Sequence, residues 1–259
     1  MRTIYYLLFF LLLTFSTACR NKSSSQDTKT FKIASYNVRN AKGMDDVTDF
    51  DRISKVINEM EAHAVAIQEL DSATERSKGI VVLDELAKRT KMHASFNGSI
   101  EYQGGKYGIG ILSKEKPLRT EAVVLPGREE KRSLLIVELD DYVLCCTHLS
   151  LNEEDRQASM KIIQNHTKKY DSKPLFLVGD LNASPDSEEI SNLSENWIIL
   201  NDPNQPTFPS DTPNVTIDYL FLKKNDKFTH SVITTEVVNE PMASDHRPVV
   251  VEVEIARKS

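Results

Sequence analysis

Two hydropathy rhythms alternate along this chain. Short apolar runs and apolar–polar alternations read as β-strands, and longer stretches with apolar residues three and four positions apart read as helices. Strands are expected at Phe31–Val38, Ala64–Ile67, Tyr107–Leu112, Leu118–Val124, Ser133–Leu139, Tyr142–Thr147, Pro174–Val178, Thr216–Leu222, His230–Val237 and Pro248–Ile255. Helices are expected at Asp49–Met60, with Ile53, Val56, Ile57 and Met60 on one face, at Ile80–Arg89, and at Glu153–Tyr170 behind the N-cap Asn152. A short helix, Pro185–Leu193, is expected behind Ser184. Antiparallel hairpins and crossover helices both occur, which predicts an α/β fold of two packed sheets with helices outside. No break, repeat or low-complexity tract interrupts residues 31–257, which read as one domain.

The first residues follow a different pattern. Arg2 precedes an apolar run from Ile4 to Phe15, then Ser16-Thr17-Ala18 and Cys19. This is the layout of an export signal, and the run is short for a membrane span. Cys19 after small residues resembles a bacterial lipobox, in which that cysteine carries the lipid; the alternative is an ordinary signal peptide with an incidental cysteine. Residues 20–30 are rich in Ser, Lys and Asn without apolar periodicity and read as a flexible tether. The expected location is therefore the bacterial cell envelope, with the membrane touched only through lipid on Cys19.

Charge narrows the partners. The 259 residues carry a formal charge of −6, and removing residues 1–19 takes away only Arg2, leaving −7. Such a chain offers nucleic acid no general attraction, because that binding rests on phosphate neutralisation. A local basic cleft or a bound cation is still compatible with a nuclease. Cys145 and Cys146 adjoin in a strand pattern, face opposite sides and read as packing residues. No CxxC pattern points to zinc or redox chemistry.

Polar clusters recur where the strand patterns end: Tyr36-Asn37, Gln68-Glu69, Thr147-His148, Gly179-Asp180-Leu181-Asn182, and Ser244-Asp245-His246 before the last strand. Such positions converge on one rim of a sandwich, where loops carry function on a rigid frame. Glu69 reads either as a hard oxygen ligand for Mg²⁺, Mn²⁺ or Ca²⁺, or as a solvated strand-end acid. Asp180 and Asn182 face one side in extended geometry. They suit a water-activating acid and an orienting amide, or a simple turn. His148 and His246 suit donors to phosphoryl oxygens, and a carboxylate behind an imidazole favours its cationic form. Asp218 is the candidate partner of His246, and Asp245 beside it is a further metal-ligand candidate. Tyr107 and Arg132 suit a phenol and a guanidinium gripping phosphate, or a core tyrosine and a surface arginine. His63, His93, His166 and His230 lack such company and read as structural, and Thr207-Phe208 between prolines reads as a loop lining the substrate cleft.

In order, these residues resemble the endonuclease/exonuclease/phosphatase superfamily: Ser-Tyr-Asn37, Gln-Glu69, Tyr107-Gly-Ile-Gly-Ile-Leu-Ser, Thr-His148, Gly-Asp180-Leu-Asn182, Ile-Asp218-Tyr and Ser-Asp245-His246. The resemblance spans about Phe31 to Glu254. It implies a four-layer α/β sandwich (DNase I-like) and a divalent-metal phosphohydrolase, with Mg²⁺ or Mn²⁺ near Asn37, Glu69 and Asp245. Asp180 and Asn182 then position or activate water. His148 and His246 contact phosphate, Asp218 supports His246, and Tyr107 and Arg132 are secondary phosphate contacts. Arg39 stands where apurinic-site endonucleases carry an acid, which resembles the deoxyribonuclease and sphingomyelinase branches more. Thr216-Ile217-Asp218-Tyr219 replaces the cysteine-containing motif of inositol phosphatases, and Lys114 stands where many members have Arg.

The leading expectation is hydrolysis of a phosphomonoester or phosphodiester by direct water attack, in a monomer. An exported nuclease is the runner-up, and it lacks a basic block with interleaved aromatics. A binding protein on a decayed hydrolase frame comes third, since Glu69, His148, Asp180 and His246 are all present.

Overall fold

In the first strand, β1 (Thr28–Asn37), Phe31 and Ile33 point one way while Ala34 and Tyr36 point the other, and both sets are buried. A strand buried on both faces sits inside a layered structure, between a second sheet and a helix layer. The computed structural model describes residues 28–258. The expected signal segment and residues 20–27 of the expected tether lie outside the described residues.

After β1 come α1 (Phe50–Met60), β2 (Ala64–Ser72), α2 (Val82–Thr90), β3 (His93–Tyr102), β4 (Gly105–Ser113), β5 (Arg119–Leu125), β6 (Arg132–Glu138) and β7 (Val143–His148). Then follow α3 (Glu153–Thr167), β8 (Leu175–Asp180), α4 (Glu188–Ser194), β9 (Trp197–Ile199), β10 (Asp218–Lys223), β11 (Phe228–Val237) and β12 (Val249–Arg257). One six-stranded sheet runs β11-β12-β1-β2-β4-β3 and the other β5-β6-β7-β8-β10-β9. Each is antiparallel except for one central parallel pair, β1 with β2 and β7 with β8. A parallel pair needs a crossover, and α1 and α3 supply it.

The sheets meet through Phe31, Ile33, Leu144, Cys146, Phe176 and Val251, among others. Helices α1 and α2 cover the far face of the first sheet with Ile53, Ile57, Leu83 and Leu86. Helices α3 and α4 cover the second with Met160, Ile163, Ile190 and Leu193. This is the expected α/β four-layer sandwich. Cys145 packs under α3 and α4 while Cys146 lies between the sheets, both as free thiols.

Several expected boundaries move. β1 begins at Thr28, three residues before the expected strand. Strands β3 and β9 have no counterpart in the expected pattern. The last short helix starts at Glu188, capped by Ser187, whose side chain accepts from the Ile190 N–H. Ser184 instead donates to Asp186 at 2.6 Å, holding Pro185 in a turn ahead of the helix. α3 ends at Thr167 rather than Tyr170.

Candidate active site

The parallel and antiparallel pairings bring the strand-end residues together. Asp180 closes β8, and its register neighbours are His148 on β7 and Asp218 on β10. Three chemistry-bearing side chains thus stand abreast on adjacent strands. Gly179 permits this spacing: its φ is +151°, and a Cβ there would meet Thr147 O at 1.9 Å. On the facing sheet, Asn37 ends β1 beside Gln68 of β2. Glu69 then breaks the ladder. Its φ is 60°, and the β2–β4 register shifts between Ile67 and Leu70. Such a bulge re-aims a side chain, and here it delivers a carboxylate to the rim.

Asp180 is the hub. Its Oδ2 accepts from Asn37 Nδ2 at 3.1 Å and lies 3.4 Å from His148 Nε2 and 3.7 Å from His246 Nε2. Asn37 Nδ2 is also 3.0 Å from Glu69 Oε1 and 3.4 Å from His246 Nε2. Asp218 Oδ2 sits 2.9 Å from His246 Nδ1 and accepts from Thr207 Oγ1 at 2.6 Å. Phe208 covers the imidazole, with its ring centroid 4.8 Å from that of His246. Ser244 Oγ donates to Asn37 O at 2.7 Å, which docks the loop bearing Asp245 and His246 onto the end of β1.

Environment splits the two imidazoles. Burial, reinforced by Arg132, pulls the His148 pKa down to about 4 against the pull of Asp180. Burial also disfavours a charged His246, but Asp218, Asp180 and Asp245 outweigh it and raise its pKa to about 10. His246 thus has the cationic form expected of an imidazole backed by a carboxylate, whereas His148 is neutral at pH 7. Burial first, then the nearby Asp245 and Asp180 carboxylates, push the Glu69 pKa up despite its bond from Asn37. Burial and the carboxylates of Glu69 and Glu130 raise the Tyr107 phenol, which stays protonated.

Tyr107, Arg132 and His148 line one small cleft beside this hub. Arg132 is buried, not a surface residue. Its guanidinium meets Glu129 at 3.1 Å and Glu130 at 2.9 Å, and its Nε is buried without a hydrogen-bond partner. Asn182 departs from the extended geometry expected of it. Its φ is 49°, its N–H donates to Asp180 Oδ1 at 3.0 Å, and its Nδ2 donates to Leu149 O at 3.0 Å. That bond uses one of the two amide hydrogens to hold the loop after His148, and leaves the other hydrogen and the side-chain oxygen for further contacts. The sequence placed Thr207 and Phe208 in a cleft-lining loop and Ser244 in the last polar cluster, but gave none of them a partner. The only trace of the first two in the sequence was their place between prolines.

These residues lie within the span, 34–246, over which the chain matches the family described as Endonuclease/Exonuclease/phosphatase family. The chain belongs to this endonuclease/exonuclease/phosphatase family. Its members are phosphoester hydrolases, and this chain is an enzyme of that class. No curated protein matches the sequence. Among solved structures, an endonuclease/exonuclease/phosphatase from Beutenbergia cavernae shares 22% identity, with a TM-score of 0.73 over 88% of this chain and 72% of that one. A mannosyl-6-phosphatase from Bacteroides thetaiotaomicron shares 17%, with a TM-score of 0.64 over 86% and 99%. The human Nocturnin catalytic domain with bound sulfate shares 17%, with a TM-score of 0.63 over 88% and 96%. At these identities the likeness is one of fold.

The family is generally divalent-metal dependent, and the donor set fits such an ion. Among the described residues, Asp180, Asp218 and His246 place ligand atoms within 4.8 Å of one another. Asp218 Oδ1 is buried without a hydrogen-bond partner. Burial first, and the nearby Asp245 and Asp180 carboxylates after it, raise the Glu69 pKa, and a bound cation would offset both. The 2.9 Å contact of His246 Nδ1 with Asp218 engages two of the clustered trio with each other. Asn37, Glu69 and Asp245 add further hard oxygen donors at this rim, beside Asp180 and the unpartnered Asp218 Oδ1.

Proposed function

We propose that the chain hydrolyses a phosphomonoester or phosphodiester by direct attack of water, with Mg²⁺ or Mn²⁺ held by Asn37, Glu69 and Asp245. The observation that carries this reading is the convergence on Asp180 of Asn37, His148 and His246, each within 3.7 Å of its Oδ2. A bound divalent ion supplies charge neutralisation and polarises the phosphoryl oxygen. Asp180 takes the proton of the attacking water, and Asn182 orients that water through its side-chain oxygen. Imidazolium His246, backed by Asp218, donates to a phosphoryl oxygen that gains charge in the transition state. Neutral His148 donates to a second oxygen through its single N–H. Tyr107 and the Arg132 Nε add donors at the edge of the group.

The acidic chain supports small phosphoesters over nucleic acid. Export and lipid attachment at Cys19 belong to the same proposal and rest on the pattern of residues 1–19. The chain is proposed to act as a monomer. The test is a panel of phosphoesters: p-nitrophenyl phosphate, bis-p-nitrophenyl phosphate, sugar phosphates, phospholipid headgroups and plasmid DNA, each with Mg²⁺ or Mn²⁺ and with chelator. Release of a small phosphoester product that stops on chelation and resumes on metal addition is expected. Cleavage of DNA alone would replace the reading with a nuclease, and inactivity with every ion would replace it with a binding protein.

A further inference from the structure

Arg132 and His148 sit on different strands, and their ends are tied by a residue with no part in the chemistry. Glu129 lies in the loop between β5 and β6, three residues before Arg132. Its Oε1 accepts from Arg132 Nη2 at 3.1 Å and from the Leu151 N–H at 3.0 Å, and its Oε2 accepts from Ser150 Oγ at 2.8 Å. Ser150 and Leu151 follow His148 by two and three residues. A single carboxylate thus spans the arginine and the segment leaving the histidine.

The surroundings make this a fixed frame. Arg128 grips Asp155 and Glu154 at the start of α3, and Arg156 donates to Leu151 O at 2.8 Å while paired with the buried Glu189 at 2.6 Å. Leu151 is held at its N–H by Glu129 and at its carbonyl by Arg156. Gly127 keeps the β5–β6 loop tight, since a Cβ there would meet Glu130 O at 1.9 Å. Burial opposes a charged Glu129, but its bonds from backbone N–H groups, Ser150 and Arg132 prevail and lower its pKa to about 2, so it stays a carboxylate across the neutral range.

We propose that Glu129 is a positioning residue that fixes Arg132 and His148 relative to each other, so that the Arg132 Nε and the His148 imidazole address the same phosphoryl group. The carboxylate anchors one end of the guanidinium and Glu130 the other, which leaves the buried Nε as the donor without a partner. This rests on the reading that Arg132 and His148 contact phosphate.

The test compares Glu129→Ala, Glu129→Gln, Arg132→Ala and the Ala/Ala double variant, each with its Tm. One readout is steady-state kinetics on whichever phosphoester of the panel the wild type cleaves. The second is calorimetric binding of inorganic phosphate with Mg²⁺, which needs no turnover. Glu129→Ala is expected to lower kcat/KM and phosphate affinity by about ten- to a hundredfold, the scale of a misplaced contact group. Glu129→Gln, which keeps the shape and one acceptor, is expected to recover part of this. The double variant is expected to lose less than the product of the two single losses, because both changes act on one shared Arg132–His148 frame. Ser150→Ala, which cuts only one of the three bonds, serves if Glu129→Ala does not fold; it should show a smaller loss of the same kind. Multiplying effects in the double variant, or wild-type kinetics and phosphate affinity in a folded Glu129→Ala, would overturn the proposal. A wild type that binds phosphate but cleaves nothing would sink the hydrolytic reading and leave this one to be decided by phosphate affinity. A wild type that binds no phosphate counts against both.

Discussion

His148 and His246 stand on the same rim and share Asp180 as a neighbour, yet they titrate on opposite sides of neutrality, near 4 and near 10. Both are buried. What differs is the second neighbour. Asp218 sits behind His246 at 2.9 Å, whereas His148 faces the cationic Arg132. Desolvation penalises either imidazolium, so a second charge of opposite sign in each case decides which proton survives. One residue type therefore gives this rim a charged donor at one end and an uncharged donor at the other.

The harshest way to break the comparison is to remove the shared neighbour. Asp180→Asn is expected to lower kcat by at least about a hundredfold, the lower end of general-base effects. Near-normal turnover in the folded variant would take Asp180 out of the reaction.

A smaller change sharpens the comparison. Asp218→Asn should make His246 resemble His148, dropping its imidazole pKa, as followed by NMR of the chelated protein, toward or below 6.5. Turnover should fall by about ten- to a hundredfold, as for other residues that act behind a site. An unmoved His246 titration would show that Asp218 is not the source of the difference.

The smallest effect lies in stability against pH. His246 has a folded pKa above the ordinary imidazole value of 6.5, so its contribution is full below that value and fades as pH rises through about 10. His148 has a folded pKa below 6.5, so its contribution is full above that value and fades as pH falls through about 4. Tm measured against pH in chelator should thus be flattened on the acid side by His148→Gln and on the alkaline side by His246→Gln. Equal flattening on one side by both variants would contradict the split.

The sequence revealed most of this rim because its acids, amides and imidazoles cap strong apolar runs, as Asp180 does after Leu175–Val178. It did not reveal the charge of His148, which is set by burial and by an arginine from another strand. Nor did it reveal the bonds of Thr207 to Asp218, Ser244 to Asn37, or Glu129 to Ser150, since each joins segments that meet only after folding. Strand β3 escaped because it is an edge strand, largely half-exposed, with a register shift between Gly98 and Ile100 that breaks its alternation. Strand β9 spans only Trp197–Ile199, too short to show a period. Ser184 was a sound cap by residue type, but Asp186 captured its hydroxyl first.

The first strand has a directional meaning. It enters at Thr28 and ends at Asn37 on the polar rim, and ten extended residues separate these points by about 30 Å. The entry pole and the reacting pole are thus opposite ends of the molecule. If Cys19 carries lipid, the chain from that anchor reaches the domain at the end of the first strand opposite Asn37.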